Sequence, residues 1–198
     1  MRILQSLRIQ HLAGALTVAA ALGLATPALA APTEALIGGT TSVQLSSDFL
    51  GALTSLGVQA GTLRDATLSE QGVASFAVIG GAIDLGTIKA EIIHRGGLSL
   101  SAGGTVVELS DFSISTLGTQ PVLTGLVTVN DELVGRVRLF NLGLTSAPAV
   151  SEQIVTLRDV RVNLTGDAAE ALNGAFGISD FQGGFNVGTA RVRTAVPE

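Results

Sequence analysis

From Thr41 onward the chain alternates apolar and polar residues in short runs, and glycines break the runs at close intervals. Val, Thr, Ile and Leu dominate the runs. Period-two alternation of such residues predicts many short strands joined by tight turns. The clearest hairpin is "GGLSLSAGGTVVELSDFSIS", with Leu98 and Leu100 before a turn at Ala102-Gly103-Gly104 and Val107 and Leu109 after it. A second hairpin, "LTGLVTVNDELVGRVRLFNL", turns near Asn130-Asp131. Between Leu109 and Phe112 the apolar phase slips by one residue, which predicts a β-bulge at Ser110-Asp111, and a similar slip follows Leu139. Pro121 and Pro148 fall where strands should end.

Two stretches carry helix signals instead. Ser46 is a candidate N-cap for a helix over residues 47–56 that stops at Gly57, and Thr165 plays the same part for residues 166–176, before Gly177. Asp48 and Asp167 stand in the first turns, where a carboxylate suits the helix dipole. The surroundings repeat weakly. Val43-x-Leu45-Ser46-x-Asp48 matches Val162-x-Leu164-Thr165-x-Asp167, and "GAIDLGTIK" (81–89) matches "GGFNVGTAR" (183–191). The expectation is an all-β, antiparallel, sandwich-like domain with two short helices and an imperfect internal duplication.

The first 30 residues have a different character. Arg2 and Arg8 precede an uncharged, apolar run from Leu12 to Ala25, and Ala28-Leu29-Ala30 places small residues where a signal peptidase cuts. This is the pattern of a secretory signal cleaved between Ala30 and Ala31. The expected organisation is a signal peptide over 1–30, a leader over 31–41 and a single β-rich domain over 42–196. No membrane span is expected in the mature chain. Loss of Arg2 and Arg8 makes the mature chain more acidic than the −5 of the full sequence. That balance argues against nucleic acid as a partner.

Export permits disulfides, yet the chain has no Cys, and it also lacks Trp and Tyr. Thiol nucleophiles and thiolate metal sites are thereby excluded. Met1 is the sole methionine, and His94 is the one histidine outside the signal. In "IKAEIIH", strand parity puts His94 on the face of Ile88, Ala90 and Ile92. His94 then either faces a ligand on a pocket wall or is a buried histidine bonded to a backbone carbonyl. Arg95 is its companion candidate.

Other chemistry is sparse. No G-x-S-x-G elbow accompanies the many serines, and no calcium-loop motif organises Asp131, Glu132 and Asp180. Arg136 with Arg138, Arg158 with Arg161, and Arg191 with Arg193 form close pairs. Such pairs suit either an anion-binding face or ordinary cross-strand pairing with carboxylates.

The segment "GVASFAVIGGAIDLGTIKAEIIHRGGLSLSAGGTVVELSDFSI" (72–114) resembles the secreted bacterial haem-transport domain of the HtaA type, through its His94-Arg95-Gly96-Gly97-Leu98 step. "VNLTGDAAEALNGAFGISDFQGGFNVGTARV" (162–192) resembles that family's closing segment. The resemblance implies a β-sandwich-like domain that holds haem through a tyrosinate with a histidine hydrogen-bonded to it. Only His94 carries over, because the chain has no tyrosine. The final "AVPE" resembles the start of a PEP-type sorting tail.

These features together predict an exported, non-enzymatic domain in the bacterial envelope, at the cell surface or outside the cell, with a structural or binding role. No cofactor and no metal are expected. Haem or a small hydrophobic ligand in a pocket near His94 is the alternative, and a secreted hydrolase a more distant one. Envelope or matrix components are the other expected partners.

Overall fold

The computed structural model describes residues 33–198. The expected signal peptide therefore lies outside the described residues. The strands are β1 (Thr33–Ala35), β2 (Gly38–Leu45), β3 (Gln59–Leu63), β4 (Thr67–Leu68), β5 (Val73–Asp84), β6 (Ala90–Arg95), β7 (Gly97–Ala102), β8 (Thr105–Ser115), β9 (Val122–Val129), β10 (Glu132–Gly143), β11 (Ala149–Ser151), β12 (Ile154–Leu164) and β13 (Asn186–Ala195). The helices are α1 (Ser47–Ser55) and α2 (Gly166–Phe176).

The all-β antiparallel class and both helices match the pattern in the sequence. The sheet, however, does not split into two layers. It runs β5-β2-β13-β12-β10-β9-β8, and β6 bridges β8 back to β5. Eight antiparallel strands thus close into a barrel. An eight-stranded barrel is just wide enough for side chains to fill its interior. Closure also leaves none of those eight strands with a free edge along its full length. β7 continues the line of β6 and carries β3 outside the barrel, while β1, β4 and β11 add short edges. The break between β6 and β7 sits at Gly96, with φ +95° and an absent Cβ that would meet Ala66 N at 3.0 Å. Only glycine suits that conformation and that space.

The turns and bulges follow the expected positions. Gly103 and Gly104 take φ of +58° and +85° between β7 and β8, and Asn130 and Asp131 take +49° and +67° between β9 and β10. Both pairs have the left-handed geometry that matches strand twist in two-residue hairpins. The β8–β9 register shifts between Ser110 and Ser113, with Asp111 at φ +49°, and the β10–β9 register shifts between Arg138 and Phe140.

Two expectations need correction. Residues 33–41, expected as a leader, form β1 and the first half of β2 and pair with β5 and β13. The glycines at 38 and 39 and the paired threonines at 40 and 41 hide that strand's alternation. The duplication holds for strand, cap and helix, since Ser46 and Thr165 both cap their helices through a side-chain oxygen. It fails at the Gly-Thr step. Gly188 and Thr189 lie within β13, whereas Gly86 and Thr87 form a turn held by the Asp84 carboxylate. Those two backbone N–H bonds keep the Asp84 pKa below its ordinary value.

One continuous core holds two aromatic groups. Inside the barrel, the rings of Phe76 and Phe112 meet edge to face with centroids 5.1 Å apart. Under α1, Phe49, Phe181 and Phe185 form a second aromatic group with centroids 5.7–6.4 Å apart.

Candidate ligand site

Alternation along β6 sends Ala90, Ile92 and His94 into the barrel and Glu91, Ile93 and Arg95 outward. His94 is 2% exposed. Its Nδ1 lies 3.2 Å from the Phe112 carbonyl oxygen and its Nε2 lies 2.6 Å from Thr41 Oγ1. A carbonyl oxygen only accepts, so Nδ1 carries the proton and Nε2 accepts from the threonine hydroxyl. Both ring nitrogens are then engaged. Burial pushes the imidazole pKa down to about 4, against the upward pull of backbone carbonyls at Phe112 and Ile92. The ring is neutral at physiological pH.

The space beside His94 is apolar and small, about 70 Å³, and is lined by Phe76, Ile92, Phe112 and Val192 among others. No serine and no carboxylate lines it. A hydrolytic triad would need both. Pockets for drug-sized ligands hold roughly 300–1,000 Å³, and this smaller space is enclosed by the closed ring of paired strands, so a haem would enter only by breaking strand pairing. Arg95 points away from this cavity and pairs with Asp65, Nε to Oδ2 at 2.6 Å.

A second apolar space lies at the helical end of the barrel, between α2 and the strands β8, β9 and β10. It measures about 100 Å³. Ala168, Ala171, Leu172 and Ala175 roof it from the helix, and Val127, Val129, Val137 and Leu139 floor it. The N-cap at Thr165 sets the helix over this floor, because its Oγ1 accepts from Ala168 N and donates to the Arg138 carbonyl of β10. Val134, 62% exposed, stands at the mouth beside Leu133, 63% exposed. They are the most exposed large apolar residues of the barrel's hairpins, although Ile37, Ile79, Leu117 and Val150 are exposed elsewhere. No resemblance or local motif pointed to this cleft. The exposed Leu133-Val134 pair after the Asn130-Asp131 turn was the available signal.

The arginine pairs separate. Arg136 donates to the Asp111 carbonyl at 2.9 Å. Arg158, Arg191 and Arg193 are exposed and form no ion pair among the described residues. Among the same residues no cluster of three metal-ligating side chains occurs, and no helix is long and apolar enough to cross a membrane.

A closed antiparallel barrel capped at one end by two short helices is the fold of the HtaA-type domains. The C-terminal domain of HtaA from Corynebacterium glutamicum superposes with a TM-score of 0.66 over 83% of this chain and 99% of that domain, at 16% identity. The N-terminal domain of HtaA gives 0.63 at 13% identity, over 82% of this chain and 99% of that one. The haem-binding protein HtaB from the same organism gives 0.56 at 10% identity, over 84% and 96%. No family model and no curated protein matches the sequence.

Proposed function

We propose that the chain is an exported, non-enzymatic binding domain that takes a flat apolar ligand of the porphyrin class, haem included, in the cleft beneath α2. The observation that carries this reading is the cleft itself, apolar on roof and floor and opening at Val134. The shared fold with HtaB, a haem-binding protein, supports the ligand class. Export rests on the signal pattern of residues 1–30.

Iron coordination does not fit the residues present. Tyrosine and cysteine are absent from the chain, the lone methionine is Met1, and His94 has both nitrogens engaged inside the barrel. Affinity therefore comes from apolar packing, at roughly 25 cal/mol per Å² removed from water. The cleft is smaller than such a ligand, so binding lifts α2 away from β10.

Titration with haemin and with iron-free protoporphyrin tests this reading. Both should bind saturably and with similar strength, and Val134→Asp should weaken both by about tenfold or more. Absence of saturable binding by either compound overturns it. Tight haemin binding without protoporphyrin binding, lost in His94→Gln, would return the ligand role to the histidine.

A further inference from the structure

The outer wall of the barrel where β2, β13, β12 and β11 lie side by side carries an open trough of about 780 Å³. Its walls hold three guanidinium groups, from Arg158, Arg191 and Arg193. Register explains the grouping. Arg193 sits opposite Thr40 on β2 and Thr156 on β12, while Arg191 sits opposite Ser42. The register between β12 and β13 shifts between Leu157 and Val160, and Asp159 takes φ +54° there. That bulge puts Arg158 across from the Arg191 position. Along β13 the two arginines share a face about 7 Å apart.

Three like charges on one sheet face repel each other in an otherwise acidic protein, and among the described residues no carboxylate pairs with any of them. Glu152, in the turn between β11 and β12, lines the same trough and forms no ion pair there. Gly38 and Gly39 keep one side of the trough free of side chains. Hydroxyls of Thr40 and Ser42 also line it. Guanidinium forks recognise carboxylate and phosphate through paired N–H donors, and hydroxyls supply further donors.

We propose that this trough is an oxyanion site, taking a small ligand that carries two or more carboxylate or phosphate groups. It is separate from the cleft beneath α2 and shares no residue with it. Calorimetric titration of the protein at low salt, with citrate and pyrophosphate as probes and acetate as the single-charge control, tests it. At least one multivalent probe should bind saturably at millimolar concentration or below, and acetate should not. The preferred probe tells carboxylate from phosphate. The double variant Arg191→Gln/Arg193→Gln should weaken binding by about tenfold or more, while Arg95→Gln, whose guanidinium pairs with Asp65 outside the trough, should leave it unchanged. No saturable binding of either probe overturns the proposal. So does binding that survives the double substitution, or that Arg95→Gln weakens equally.

Discussion

Thr41 and His94 come from strands that are not neighbours in the barrel, yet their side chains meet inside it, Oγ1 to Nε2 at 2.6 Å. Both residues are buried. The contact ties β2 to β6 across the strand that separates them, β5. It satisfies Nε2, the nitrogen that the Phe112 carbonyl does not take. Thr41→Val keeps the shape and removes the donor, leaving Nε2 buried and unpaired. The expected loss is about 1–3 kcal/mol of stability, read from urea denaturation. An unchanged midpoint would show that the hydrogen bond is not needed.

The same burial makes stability depend on pH. The folded-state pKa of His94 is about 4, below the roughly 6.5 of an unfolded histidine. Between these values the unfolded chain binds the proton and the folded chain does not, so stability rises with pH across that window. Acidification from pH 6.5 to 4 should cost up to about 3 kcal/mol through this group. His94→Phe should flatten that slope. In the parent protein the imidazole NMR signals should stay those of the neutral ring down to about pH 4. A midpoint near 6.5 would mean that the ring is solvated.

Gly125 lies on β9 with its α-carbon turned toward the Phe112 ring. A Cβ there would come within 2.8 Å of both Phe112 and Leu139 side-chain carbons. Gly125→Ala should overpack the barrel and destabilise by about 1–3 kcal/mol. Gly143→Ala is the control, since its added Cβ meets the nearest atom at 3.4 Å. That change should be neutral or stabilise by about 0.5 kcal/mol, through the unfolded state. Equal effects at the two sites would contradict the packing argument.

Local features of the fold were legible in the sequence, and long-range ones were not. Caps at Ser46 and Thr165, the turns at Gly103-Gly104 and Asn130-Asp131, and the bulge at Asp111 depend on neighbouring residues, and each stands where the pattern puts it. So does the inward parity of His94. Barrel closure depends on β5 pairing with both β2 and β6, and alternation alone does not say which strands meet. Thr41 illustrates the cost. The sequence pattern puts it at the end of a leader, and in the fold it is the partner that completes His94. The cleft beneath α2 draws on helices and strands far apart in sequence, so no spacing could reveal it.

The export pattern predicts a defined N-terminus. Ala28 and Ala30 occupy the positions a signal peptidase reads. Protein recovered from the exported fraction should begin at Ala31, as read by N-terminal sequencing or intact mass. This cut leaves β1, which starts at Thr33, whole. A folded exported form that retains Met1 would contradict cleavage.

Thr165 does two jobs with one hydroxyl. It accepts from Ala168 N at 3.1 Å, capping α2, and donates to the Arg138 carbonyl at 2.7 Å, fastening the helix start to β10. The residue is buried, so water cannot readily replace the capping bond, and it reaches the bond to Arg138 only in part. Loss of an N-cap costs about 1 kcal/mol, and a half-buried carbonyl left without its donor adds about 1 kcal/mol more. Thr165→Ala should therefore destabilise by about 2 kcal/mol or more, and Thr165→Ser should restore most of it. Ser46→Ala is the comparison. Ser46 caps α1 and donates to the Asn186 carbonyl, but it is only half-buried and the Asn186 bond is exposed, so water takes over that bond. It should cost about 1 kcal/mol or less. The Thr165→Ala effect should also appear as faster amide exchange confined to α2, because the cap holds that helix over the cleft. Uniform loosening of the whole barrel would mean that α2 is part of the global core and does not open on its own.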